Sequence, residues 1–156
     1  MTTQPDIADC WQAYLRTCSA RDALRREGAN CAPGHDLYGL TSDELDTIFD
    51  AMAIEAEVVA VFGLSAACEA TIRVASRMMA DSAADDPESV AVRALYRYAA
   101  AKNRASGPPV VGNDAKKTIV GVWLKARARP QGAHQELLAL ALLRHWIAHG
   151  RHFSQR

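Results

Sequence analysis

Strand signatures are missing from this sequence. No segment alternates β-branched with polar residues, aromatics make up only 6% of the chain, and every long segment is rich in Ala, Leu, Arg and Glu, so no sheet is expected. Cysteine is sparse: Cys10, Cys18, Cys31 and Cys68 form no CxxC pair and no run with His at metal-ligand spacing. That argues against a disulfide or metal staple and for reduced, mostly buried thiols in a reducing compartment. A signal peptide is not expected either, because Asp6 and Asp9 stand where a positive start and an apolar run are needed. No apolar stretch reaches the roughly 18 residues of a membrane span, so the reading is a soluble, cytoplasmic protein. Internal repeats, low-complexity tracts and domain linkers are also missing. At 156 residues the chain suits a single domain, residues 1–156, able to bury roughly 70% of its unfolded surface.

Net charge is absent too, with 18 Lys and Arg against 18 Asp and Glu, but the charges are segregated. Residues 1–101 hold 8 basic and 16 acidic side chains, and residues 102–156 hold 10 and 2. A basic final third attracts polyanions through counterion release. The same segregation also serves an acidic half packed on a basic half, or two copies docked head to tail.

What is present reads as helices. The first spans about 6–27, with Ile7, Trp11, Tyr14, Leu15 and Cys18 in one stripe and Gly28 as its stop. Residues 28–40 form a loop. Thr41 and Glu44 make a capping-box pattern ahead of Leu45, Ile48, Phe49 and Met52. The helix they start runs to about Ala80 as a buried central element, with a bend or break expected at Gly63 and Ser65. Asp86-Pro87-Glu88 starts another helix, to about Arg104. A loop over 105–113 follows, Asn113 or Asp114 caps a helix to about Arg129, and a last helix begins near His134. The fold class is therefore an all-α bundle of about five to six helices.

The last helix carries the chemistry. With Arg144 at zero and about 100° per residue, Ala139, Leu140, Leu143, Trp146 and Ile147 share one apolar arc that should face the core. His145 and His149 fall off that arc beside Leu138 and Leu142. A helix apolar on two sides with charged groups between them suggests a second copy packed on Leu138 and Leu142 around a two-fold axis.

The run Arg144-His145-Trp146-Ile147-Ala148-His149-Gly150 resembles the Arg-x4-6-His motif of the HEPN superfamily, in which a polar residue often follows the arginine. The specific match covers about a dozen residues. The resemblance implies an all-helical domain of this size and, in many members, a metal-independent ribonuclease site formed across a homodimer. It also implies the toxin-antitoxin or defence roles common in the family, with an antitoxin-like protein as partner. On that reading His149 and its mate serve as general base and acid, Arg144 holds the phosphate, and His145 orients one of them. His149 in the last turn would also feel the helix dipole, which favours its imidazolium. Lys116, Lys117, Lys125, Arg127, Arg129 and Arg151 would bind the RNA, with no cofactor.

Two other readings stand beside it. HEPN members without nuclease activity resemble an interaction module, in which Arg144 is satisfied by an acid and the dimer face binds a protein, a nucleotide or RNA. A metal site on His145, His149 and His152 lacks the H-E-x-x-H glutamate, and Gly150 should end the helix first, so no metal is expected. His35 and His134 are expected to be ordinary exposed residues near loops. Glu69 and Arg73, four apart, read as a surface ion pair, with support of the active face as a lesser role.

Overall fold

The computed structural model describes residues 6–28, 30–127 and 132–148, without the side chains of Ala133 and Trp146. Among them the only regular elements are helices: α1 (Ile7–Gly28), α2 (Ser42–Asp81), α3 (Pro87–Ala101), α4 (Ile119–Ala126) and α5 (Gly132–Ala148), with a 3-10 turn at Ala115–Lys117. The all-α expectation is met. The chain divides into two compact units between Ala67 and Cys68, within the length of α2.

Local side-chain chemistry sets the helix starts. Thr41 and Glu44 form the reciprocal capping box: the Glu44 carboxylate accepts from the Thr41 N–H at 2.8 Å, and Thr41 Oγ1 accepts from the Glu44 N–H at 3.3 Å. The Thr41 N–H bond, then a bond donated by the Thr41 hydroxyl at 2.8 Å, holds the Glu44 carboxyl below its ordinary value. Asp86 caps α3 by accepting from the N–H groups of Glu88 and Ser89, with Pro87 in the first turn. Thr118 caps α4 in the same way at Gly121 N. The helix expected from Asn113 or Asp114 is split, because Asp114 caps only the 3-10 turn before Thr118 restarts the chain as α4.

In the first unit α1 lies along the first half of α2, and Leu45 and Phe49 are buried. The apolar stripe expected to bury α1 is largely solvated: Ile7, Trp11 and Leu15 are exposed, and Gly28 is the buried residue of this helix. Gly63 does not break α2. A Cβ there would sit 3.5 Å from Cys10 Sγ, so the small residue marks a close approach of α1 rather than a stop. Nor is α2 buried along its length, for Ile54, Val59, Val74 and Met78 are all more than half exposed. One 18-residue window of α2 has mean hydropathy 1.7, long and apolar enough to cross a membrane by length and composition, where the sequence reading found no such stretch. Only 11% of that window is buried, unlike the mostly buried core helix of a soluble protein that passes the same test. All four cysteines are free and half-buried.

The second unit has a core of Leu95, Val110, Ile119 and Val120, with Ile72 of α2 and Leu137 of α5 packed against it. Its polar seam ties α3 to α4. Glu88 accepts from the Trp123 indole N–H and from Arg127 Nε, each at 2.6 Å, and Arg127 also lies over the Trp123 ring. The Arg127 bond, then the Trp123 bond, holds the Glu88 carboxyl below its ordinary value. A carboxylate depressed in the folded state adds stability above its unfolded pKa and loses it as pH falls through the folded value. Glu88→Gln is therefore expected to lower Tm at neutral pH, with the gap closing as pH drops below about 4. A gap that stays constant into acid would show that the charge on Glu88 is irrelevant.

Candidate functional site

The site is built where α5 meets the second half of α2. Leu137 of α5 packs on the core, and seven residues later Arg144 returns to nearly the same face, about 20° away. That turns the Arg144 face of α5 inward, and the expected arc is met only in part: Leu140 and Ile147 are half-buried, whereas Leu143 is 42% exposed and Ala139 is also exposed. The helix is anchored at its start by His134, which is only 4% exposed and donates from Nε2 to the Gly112 carbonyl at 3.1 Å. His134 is thus a buried structural residue rather than the exposed one the sequence suggested. Helical periodicity alone weighted the apolar residues, whereas a buried hydrogen bond and an ion pair fix the orientation.

The ion pair joins Arg144 Nη2 to Glu69 Oε1 at 3.1 Å. Both side chains are about one-third exposed, at 32% and 29%, so the pair adds little net stability but restricts where the guanidinium points. The guanidinium has five donors, and this contact engages one of its amino nitrogens. Glu69 therefore does not serve the expected Glu69–Arg73 pair. Arg73 Nη1 instead donates to the carbonyls of Ser106, at 3.3 Å, and Pro108, at 3.2 Å. Long-range contacts override the local i,i+4 option because both α5 and the 105–110 loop come within reach of α2.

His145 is exposed in the last turn of α5, next in sequence to Arg144. His149, Arg129 and Arg151 lie outside the described residues. Of the other expected RNA-binding residues, Lys116 and Lys117 flank a shallow groove beside Tyr98, and Lys117 is paired with Asp114 at 2.7 Å. Arg127 is paired with Glu88, ten residues before Tyr98 on α3, which places it about 15 Å away along the helix axis. Lys125 is exposed. These basic residues therefore do not form one cluster, and two of them are each paired with a carboxylate. Leu142 of the expected dimer face is 56% exposed and Leu138 half-buried. Among the described residues no three His, Cys, Asp or Glu side chains converge as a metal site.

The interaction-module reading expects an acid on Arg144, and the structure supplies it as Glu69, which the sequence pairs with Arg73 instead. Sequence reasoning missed Arg77 and Tyr96, which meet in a cleft next to Arg73. The readable signal was the stripe Glu69, Arg73, Arg77 at spacings of four along α2. Compared with known protein families, curated proteins and solved structures, the chain matches none.

Proposed function

We propose that this protein is a HEPN-type ribonuclease whose composite site joins Arg144 and His149 of two copies, in a homodimer built on the Leu138 and Leu142 face of α5. The observation that carries it is Arg144, held by Glu69 in a half-buried position at the end of α5 that still leaves guanidinium donors for a phosphate. The exposure of Leu142 and Leu143 beside it supports a partner on this helix.

The chemistry follows from the side chains. Neutral His149 of one copy takes the proton of a ribose 2'-hydroxyl, and that oxygen attacks the adjacent phosphorus. The bond to the 5'-oxygen breaks as the His149 imidazolium of the other copy supplies its proton. Arg144 bears on the phosphoryl oxygens, where negative charge grows, and a planar guanidinium can hold two of them at once. The products are a 2',3'-cyclic phosphate and a 5'-hydroxyl. An antitoxin-like protein covering the dimer face would silence such an enzyme.

A second reading is favoured by the same ion pair. If Glu69 satisfies Arg144 permanently, the protein is a non-catalytic module and the dimer face binds another protein, a nucleotide or RNA. End-group analysis separates the two. Purified protein incubated with RNA in EDTA is expected to give fragments ending in cyclic phosphate, and a substrate with 2'-deoxyribose at the cleaved position should stay intact. No cleavage across varied RNA substrates would sink the nuclease, and cleavage of the deoxy substrate would sink the 2'-hydroxyl mechanism.

A further inference from the structure

We infer that the cleft between the second half of α2 and the 103–107 loop binds a single strand of RNA, its phosphates meeting Arg77 and Arg104 and a base stacking on the outer face of the Arg77 guanidinium. The inference rests on the reading of RNA as the substrate and specifies how the strand approaches the site.

Two adjoining clefts, of about 660 and 450 Å³, share Arg77, Tyr96, Ala105 and Gly107. Together they form a channel lined by three arginines, Arg73, Arg77 and Arg104, against one carboxylate, Asp81. This positive channel draws two of its cations from the part of the chain whose overall balance is acidic, so counting charge by region hid it.

Arg73 and Arg77 have distinct tasks, and Arg104 is an exposed cation of the lining. Arg73 is spent on the loop carbonyls of Ser106 and Pro108 and so fixes one wall. Arg77 lies 5.5 Å over the Tyr96 ring, and Asp81 accepts from its Nε at 3.1 Å. The Arg77 side chain is nonetheless 64% exposed. A guanidinium held near an aromatic ring and still exposed offers a cationic, planar group on which a nucleobase can stack while neighbouring phosphates gain charge-assisted hydrogen bonds. Tyr96 is held in place from behind by Ser76, fully buried, whose hydroxyl lies 3.0 Å from the Tyr96 hydroxyl.

The loop is shaped to admit a strand. Gly107 has φ of 75°, and a Cβ there would come within 3.3 Å of the Tyr96 ring, so the glycine keeps the channel open beside the stack. An acidic peptide would use the charge but not the flat face, which favours a nucleic acid strand. Position links the channel to the candidate site: Arg77 lies eight residues beyond Glu69 on α2, about 12 Å along the axis, with Arg73 between them. A strand lying in the channel is therefore directed towards Arg144.

The test is binding of a labelled, unstructured oligoribonucleotide to the full chain in EDTA, read by fluorescence anisotropy over a range of salt. Arg77→Glu with Arg104→Glu is expected to weaken binding about tenfold or more and to make the log–log salt dependence shallower by about 1.4. Both side chains are exposed, and an unchanged Tm shows that the variant is folded. The charge-matched control Arg16→Glu with Arg26→Glu, both exposed on α1 of the first unit, should lose less than about threefold. Arg77→Lys should weaken binding while leaving the salt slope unchanged, because it keeps the charge and removes the stacking plane. The inference is overturned if the wild type does not bind RNA, if the control loses as much as the cleft variant, or if an acidic peptide of equal charge binds as tightly. Cleavage that proceeds normally in the cleft variant sinks this inference alone. Cleft-dependent binding without any cleavage sinks the nuclease alone.

Discussion

Arg144→Ala and His149→Ala are each expected to lower RNA cleavage by about a hundredfold or more, with the wild-type oligomeric mass retained. Arg144 acts on charge that appears only in the transition state, so its removal should fall mainly on kcat. Arg144→Lys keeps the charge but not the planar fork, and should recover only part of the loss. Glu69 is a positioning residue on this reading, since it touches the guanidinium and not the substrate. Glu69→Gln should lower kcat about tenfold by loosening Arg144, without raising KM, because the neutral amide competes less with phosphate for the guanidinium. A merely structural Glu69 would lower Tm and leave kcat per folded molecule unchanged. Subunit mixing probes the composite site. If both copies of His149 serve one reaction, equal parts of wild-type and His149→Ala chains, exchanged to equilibrium, should retain about a quarter of the activity, because two-fold pairing leaves that fraction of dimers intact. About half remaining would show that each site needs only one His149, and wild-type activity in Arg144→Ala would end the nuclease reading.

What could be read in advance divides along a physical line. The starts of α2 and α3 were legible because capping is local: Thr41 with Glu44, and Asp86 with Ser89, are three residues apart and their bonds need nothing else from the fold. The all-helical class was legible from propensity and missing alternation. The burial of His134, the inward face of α5 and the partner of Glu69 were not. Each depends on contacts across more than twenty residues, His134 with Gly112 and Glu69 with Arg144 among them. Charge patterning failed in a related way. The basic final third is real, but Asp114 and Glu88 neutralise Lys117 and Arg127; the open cleft takes Arg73 and Arg77 from the acidic part of the chain, where Asp81 pairs with Arg77 in the same way and leaves the excess positive charge to Arg73 and Arg104.

Gly121→Ala is expected to be the most damaging small substitution in the second unit, costing about 3 kcal/mol or more and roughly 6–12 °C in Tm. Gly121 is buried in the first turn of α4, where its N–H donates to the Thr118 hydroxyl at 3.2 Å. A Cβ on it would overlap the Ala115 carbonyl group and stand 2.7 Å from Ala115 Cα. Backbone cannot rotate away as a side chain can, so the 3-10 turn and α4 would have to part. The Ala115 carbonyl also accepts from the Thr118 hydroxyl at 3.1 Å, so parting them weakens the cap of α4. Ile119, fully buried, and Val120 follow directly, and their N–H groups donate to the carbonyls of Pro109 and Val110. The damage would pass along that loop to Pro108, whose carbonyl receives Arg73, so RNA affinity should fall together with stability although Gly121 lines neither cleft. Gly112→Ala is the control: its Cβ would meet only Thr118 Cγ2, at an ordinary 3.5 Å, and Tm should move by no more than about 2 °C. Equal melting of the Gly121→Ala and wild-type proteins would show that the turn and α4 yield without cost, and that the 105–118 segment is not the rigid support on which both the cleft and α4 depend.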